Sequence, residues 1–185
     1  MGLIRRTFSF LDMDTLVRLY VAFVRPHIEY AQAVWSPSLA SQIKKLEAVQ
    51  MRALKLAPEL RDLPYEDQLR KAKLSTLAFR RLRGDMVDCY KHFHVYHREV
   101  ISSSFKPSIR KPDMLTQSRA TPRFYGRIQE LWNGLPSNVR VADNVNIFKN
   151  RLDKHWADLP LRFDYLAGTP TRLNINKYES RRSGR

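Results

Sequence analysis

Two carboxylates at Asp12 and Asp14, one residue apart, have the look of a ligand pair for divalent ions. Two-metal chemistry would need such a pair held on a β-hairpin around the ions. Here the pair opens a run with Leu16, Leu19, Tyr20 and Phe23 at helical spacing. Aspartate is a favoured N-cap, so Asp12 or Asp14 is read as capping that helix. A second group, Cys89, His92, His94 and His97, resembles a metal-ligand cluster only in one dimension. At about 100° per residue His92 and His94 point to nearly opposite sides of a helix, and one straight helix cannot surround a tetrahedral ion. Cys89 falls on the apolar face and reads as a small buried hydrophobe. The chain holds no GxxxxGK[ST] phosphate loop, GxSxG elbow or HExxH pair. Neither a catalytic constellation nor a metal or cofactor site is expected.

The residues that point to a ligand are basic. The segment LRKAKLSTLAFRRLR at 69–83 contains Arg70, Lys71, Lys73, Arg80, Arg81 and Arg83 and no acid. A cluster of this kind can neutralise backbone phosphates, which gives affinity and little sequence information. The plainer reading is a solvated helix face. A second basic arc, Lys44, Lys45, Arg52 and Lys55, lies to one side of the helix expected over 38–57. Together with a net charge of +15, from 33 Lys and Arg against 18 Asp and Glu, the two clusters tip the balance toward nucleic-acid contact. Trp35, Trp132 and Trp156 sit on or at the ends of apolar patterns, and read as core rather than base-stacking platforms.

The elements that must position these groups read as helices. After the first run, Arg25-Pro26 is expected to interrupt the chain, because a residue before proline avoids the α region. A second helix then starts at Pro26, carries Ile28, Tyr30, Ala31 and Val34, and stops at Trp35-Ser36-Pro37. The helix over 38–57 has an apolar face of Ile43, Leu46, Val49, Ala53 and Leu56, and Pro58 ends it. A short helix fits 65–73. A long one fits 76–97, with Phe79, Leu82, Met86, Cys89, Tyr90 and Phe93 on one side and a basic stripe beside them. Residues 102–123, with three consecutive serines and three prolines, read as a linker or loop. Beyond it, 124–132 is helical and Asn133-Gly134-Leu135-Pro136 stops it. A last helix over 144–156 places Val145, Phe148, Leu152 and Trp156 on one face, capped by Asp143 or Asn144.

The expected fold is therefore mainly α. A bundle of about five helices over 1–100 is followed by a linker over 101–123, a small helical unit over 124–160 and a basic tail over 161–185. One cysteine excludes an internal disulfide framework and fits a reducing compartment. No run reaches the roughly 18–20 apolar residues that span a bilayer. The N-terminus lacks the apolar stretch of a signal peptide. Cytoplasm and nucleus both stay open.

A set of longer motifs adds a resemblance. They are Leu19-Tyr20, Val24-Arg25-Pro26-His27-Ile28-Glu29-Tyr30, Val34-Trp35-Ser36-Pro37 and Leu46-Glu47-Ala48-Val49-Gln50, then Arg80-Arg81-Leu82-Arg83-Gly84-Asp85, Trp132-Asn133-Gly134-Leu135-Pro136 and Phe148-Lys149-Asn150-Arg151-Leu152-Asp153-Lys154-His155-Trp156. In order and spacing, over about residues 3–165, the chain resembles the C-terminal region of the reverse transcriptase of non-LTR (LINE-type) retrotransposons of the jockey-like and chicken-repeat-like lineages. The resemblance implies the thumb-like and post-thumb helices of an RNA-directed DNA polymerase, which would hold the template–primer duplex. It also implies an upstream fingers and palm domain, with its Phe/Tyr-x-Asp-Asp motif, as a partner within the same polyprotein. No Asp-Asp dipeptide occurs in this chain. The stretch 105–125 is shorter than in such relatives. On this reading the chain binds RNA, DNA or hybrid and does not catalyse alone. The alternative is a domesticated helical module that binds a protein through Leu46, Val49, Ala53 and Leu56. An active enzyme ranks below both.

Overall fold

The computed structural model describes residue 6, residues 12–30, 32, 37, 39–97 and 121–167, with the side chains of 93–97 and 121–127 left out. The protein is mainly helical, and the described residues contain no strand. The chain divides into two compact units. The first comprises Met1–Arg81 with Pro160–Ala167, the second Leu82–Leu159 with Gly168–Arg185.

The first unit opens at α1, Met13–Leu19, whose N-cap is Asp12: its carboxylate accepts from the Thr15 amide at 3.0 Å. The Arg25-Pro26 step does not break the chain as expected. A π-helical turn, Tyr20–Val24, leads straight into α2, Arg25–Glu29, with Arg25 itself in the α region. The Arg25 amide donates to the Tyr20 carbonyl, one residue further back than in an α-helix. The wider turn accommodates the proline, which has no N–H to offer an α-helical ladder. Tyr30 is extended and ends α2. Ala31, Val34 and Trp35 lie outside the described residues.

Helix α3, Ala40–Leu54, is followed by a 3-10 turn, Pro58–Leu60, and by α4, Tyr65–Lys71. Leu16, Leu54, Ala57, Leu60, Leu69 and Ala72 form the core here. The buried Gln68 side-chain amide donates to the Leu60 and Leu63 carbonyls, both at 2.9 Å, and so fixes the α3–α4 connection to α4. After α4 the chain turns through Lys73 with φ 54°, a left-handed residue. The amides of Lys73 and Leu74 return to the carbonyls of Arg70 and Leu69, at 3.2 and 2.9 Å, which is a Schellman ending.

Helix α5, Leu77–His97, begins in the first unit and continues in the second. Thr76 caps it: its hydroxyl accepts from the Phe79 amide at 3.1 Å and donates to the Leu161 carbonyl at 2.5 Å. The Thr76 amide also donates to the Arg162 carbonyl at 2.9 Å. A 3-10 turn, Pro160–Arg162, is thereby fixed to the first unit, with Leu161 buried and Phe163 packed against its core. Nothing in the sequence pattern signals this return.

In the second unit α6, Thr121–Gly134, starts three residues before the expected position. It ends at the Asn133-Gly134-Leu135-Pro136 stop. A single turn, α7, Ser137–Arg140, precedes α8, Val145–His155. Asn144 rather than Asp143 caps α8, accepting from the amides of Asn146 and Ile147 at 3.0 and 2.9 Å. Phe148, fully buried, stacks on Tyr90 at 4.4 Å and meets Trp132 at 5.9 Å. The Tyr90 hydroxyl donates to the Ala142 carbonyl at 2.6 Å. Trp132 and Trp156 are core residues, as their patterns indicate, while Trp35 is outside the described set.

Candidate nucleic-acid interface

The basic residues picked out in the sequence differ in exposure and engagement. They separate into an exposed arc, a partly engaged group and an engaged or buried group. Lys44, Lys45, Arg52 and Lys55 all lie exposed along α3 and its C-cap. At 100° per residue they occupy an arc of about 100°, which also contains exposed Ser41 and holds no acid. Arg52 lies back along its own helix, donating to the Ala48 carbonyl at 3.1 Å. Among the described residues no carboxylate pairs with any of the four.

The residues of α4 are exposed but partly engaged. Arg70 pairs with Glu66 at 2.6 Å and stacks over the Phe163 ring at 4.1 Å. Lys71 reaches the Glu59 carbonyl at 3.3 Å. Lys73 is exposed at the left-handed turn.

The three arginines of α5 are engaged or buried. Arg80 grips Glu29 through Nε and Nη2 of its guanidinium, the Nη2–Oε2 bond measuring 3.0 Å. Arg81 is 5% exposed. Arg83 holds Asp153 through two parallel bonds of 2.6 and 2.8 Å. That bond network, followed by the charge of Asp153, raises the Arg83 pKa despite partial burial. A helix wheel shows that these residues share a helix but not that acids from distant segments meet them.

The opposite side of α3 holds what the sequence reading missed. The most deeply buried residues of this helix include Glu47 and Gln50, with Ala53 and Leu54. The buried face is rotated roughly a quarter of a turn from the apolar seam of Leu46, Val49, Ala53 and Leu56. Gln50 Oε1 accepts from the Tyr20 hydroxyl at 2.7 Å, and its Nε2 donates to the Tyr65 hydroxyl at 3.1 Å and the Ser75 carbonyl at 3.0 Å. The Tyr65 hydroxyl donates to Glu47 Oε2 at 2.8 Å, while Glu47 Oε1 accepts from the Ala78 amide at 2.7 Å. Burial pushes the Glu47 carboxyl up; Tyr65, the Ala78 and Leu77 amides and the Arg81 charge oppose that shift. Burial, then the Glu47 charge, raises the Tyr65 hydroxyl well beyond its usual range. Tyr20 shifts the same way for the same two reasons. With Glu47 and Gln50 almost wholly out of solvent, the cluster is a polar core that joins elements rather than a place where a substrate could sit.

Cys89 is buried, and burial followed by the Asp85 charge raises its thiol, so it is not a ready thiolate. Among the described residues no group of three or more His, Cys, Asp or Glu could hold a metal ion. His92 is exposed; the side chains of His94 and His97 lie outside the described residues. No helix among the described residues is long and apolar enough to cross a membrane.

No protein-family profile, curated protein or solved structure matches the chain.

Proposed function

We propose that this chain is a nucleic-acid-binding helical module, the tail of a retrotransposon-type RNA-directed DNA polymerase, which grips a template–primer or related polyanion and does not catalyse by itself. The observation that carries the reading is the exposed, acid-free arc of Lys44, Lys45, Arg52 and Lys55 on α3. Side chains at this spacing can meet successive phosphates of a backbone, and contacts of that kind fix position without reading bases. The motifs that resemble the reverse transcriptase tail supply the link to a polymerase. The upstream fingers and palm domain is the partner this reading requires. Arg80, Arg81 and Arg83 contribute to holding the protein together; the grip rests on α3, with Lys71 and Lys73 as secondary contacts.

The protein-binding alternative is less favoured. Ala53 is fully buried and Leu56 packs against the core of the first unit, so part of that seam is already covered by the chain itself.

The test is fluorescence anisotropy of a labelled RNA–DNA hybrid between about 50 and 200 mM salt. Four phosphate contacts predict a fall in affinity of about a hundredfold over that range. Lys44→Ala/Lys45→Ala should weaken binding and flatten the salt slope. Arg18→Ala/Arg61→Ala, which removes equal charge from other exposed sites in the same unit, should do so much less. Equal effects from the two pairs, or binding indifferent to salt, would refute the assignment to α3.

A further inference from the structure

The polar cluster beneath α3 has a direction built into it. The Ser75 carbonyl can only accept, so Gln50 must turn its Nε2 toward it, at 3.0 Å. That orientation aims the same Nε2 at the Tyr65 oxygen and leaves Oε1 for the Tyr20 hydroxyl. With its oxygen accepting from Gln50, Tyr65 sends its proton to Glu47 Oε2. The other carboxylate oxygen faces the Ala78 amide, which can only donate. The relay from Tyr20 through Gln50 and Tyr65 thus runs toward Glu47, and the Ala78 amide points there as well. Both carboxylate oxygens of Glu47 accept from donors, an arrangement strongest when Glu47 is an anion, although the residue is fully buried.

We propose that Glu47 is a proton-operated latch: one proton taken up on its buried carboxylate weakens the bonds from Tyr65 and from the Ala78 amide, and loosens α4 and the start of α5 from α3. A proton on either oxygen removes the charge that makes both bonds strong. Neither donor has a spare acceptor within the chain of bonds just traced. The groups that face Glu47 are Tyr65 from α4, the Leu77 and Ala78 amides and the Arg81 charge from α5, and, through Gln50, Tyr20 from the π turn. Arg25, Glu29 and Arg80 act in turn on Tyr20. Burial raises the Glu47 pKa. The neutral form remains folded, because burial favours an uncharged carboxyl; what changes is the bonding across α3, α4 and α5. The inference is independent of nucleic-acid binding.

The test is NMR on the full chain, following the Glu47 side-chain carboxyl carbon, the Ala78 amide and the Tyr65 ring as pH is varied. All three should titrate with one midpoint above that of an ordinary glutamate. Tyr65→Phe should raise the Glu47 midpoint further, because it removes a donor that stabilises the anion, and Ala78 should still follow it. In Glu47→Gln the Ala78 amide should lose that titration. If Ala78 and Tyr65 stay still while Glu47 titrates, or if Glu47 titrates at or below the ordinary range, the latch is ruled out. The wild-type titration decides the matter even if a variant fails to fold.

Discussion

Arg83 on α5 and Asp153 on α8 meet through two parallel hydrogen bonds of 2.6 and 2.8 Å, across 70 positions of sequence. This is the fork geometry in which a guanidinium binds a carboxylate most specifically. Both side chains are partly exposed, 29% and 46%, so solvent screens the pair. A double-mutant cycle with Arg83→Ala and Asp153→Ala should give a coupling of about 0.5–1 kcal/mol, falling as salt is added. Denaturant melts of the four proteins measure it. A coupling of zero would mean that the pair does not hold in solution. Arg83→Ala is for the same reason a poor probe of nucleic-acid contact, because it also removes a link between α5 and α8.

Phe148 stands at the centre of the second unit, between Tyr90 and Trp132, with no exposed surface. Phe148→Ala removes the ring from both neighbours and leaves a cavity. The expected loss is about 3–5 kcal/mol, read as a lower urea midpoint at unchanged slope. Phe148→Leu should cost clearly less. Equal losses for the two would show that the ring stacking matters more than the filled volume.

Lys73 occupies a position that suits glycine. Its φ of 54° is strained for a residue with a Cβ, and the Schellman bonds around it need only the backbone. Lys73→Gly should therefore stabilise the protein or leave it unchanged, by up to about 1 kcal/mol, despite the entropy that glycine adds to the unfolded chain. Thermal melts of the variant check it. The same variant should weaken hybrid binding slightly if Lys73 is a secondary phosphate contact.

The sequence was most readable where one local rule decided the outcome. Asp12 caps α1, Asn144 caps α8, and the apolar side of α8 is buried at Phe148, Leu152 and Trp156. Periodicity also placed α3 and α5 within a few residues of their ends. It failed where distant segments supply the partners. Glu47 and Gln50 fall outside the apolar face read for α3, because hydrophobicity alone orients a helix wheel. Their burial depends on Tyr20, Tyr65, Ser75 and the start of α5, none of which the local pattern contains. Arg80 likewise reads as a ligand for phosphate until Glu29, 51 positions away, is found against it. The proline rule failed at Arg25-Pro26 for a different reason. It says that the residue before proline avoids the α region, yet Arg25 adopts that conformation at the end of the π turn, and Pro26 falls in the first turn of α2, where its N–H is not needed.

Glu47 also makes stability depend on pH, with a sign that can be worked out. Burial raises its pKa in the folded state, and the donors around it and Arg81 offset only part of that rise. The unfolded chain keeps an ordinary glutamate value near about 4.3. The folded protein therefore holds this proton more tightly than the unfolded one between the two values. By linkage, the contribution of Glu47 to stability is fully present below the unfolded pKa and is lost as pH rises through the folded pKa. Glu47→Gln has no proton to lose there. Wild type should become less stable relative to Glu47→Gln as pH increases from about 4 toward neutrality, in urea melts taken at each pH. A difference that does not vary with pH would mean that the folded and unfolded pKa values coincide. One that changes in the opposite sense would mean that the Tyr65 and Ala78 donors outweigh burial, and that Glu47 stabilises the fold as an anion.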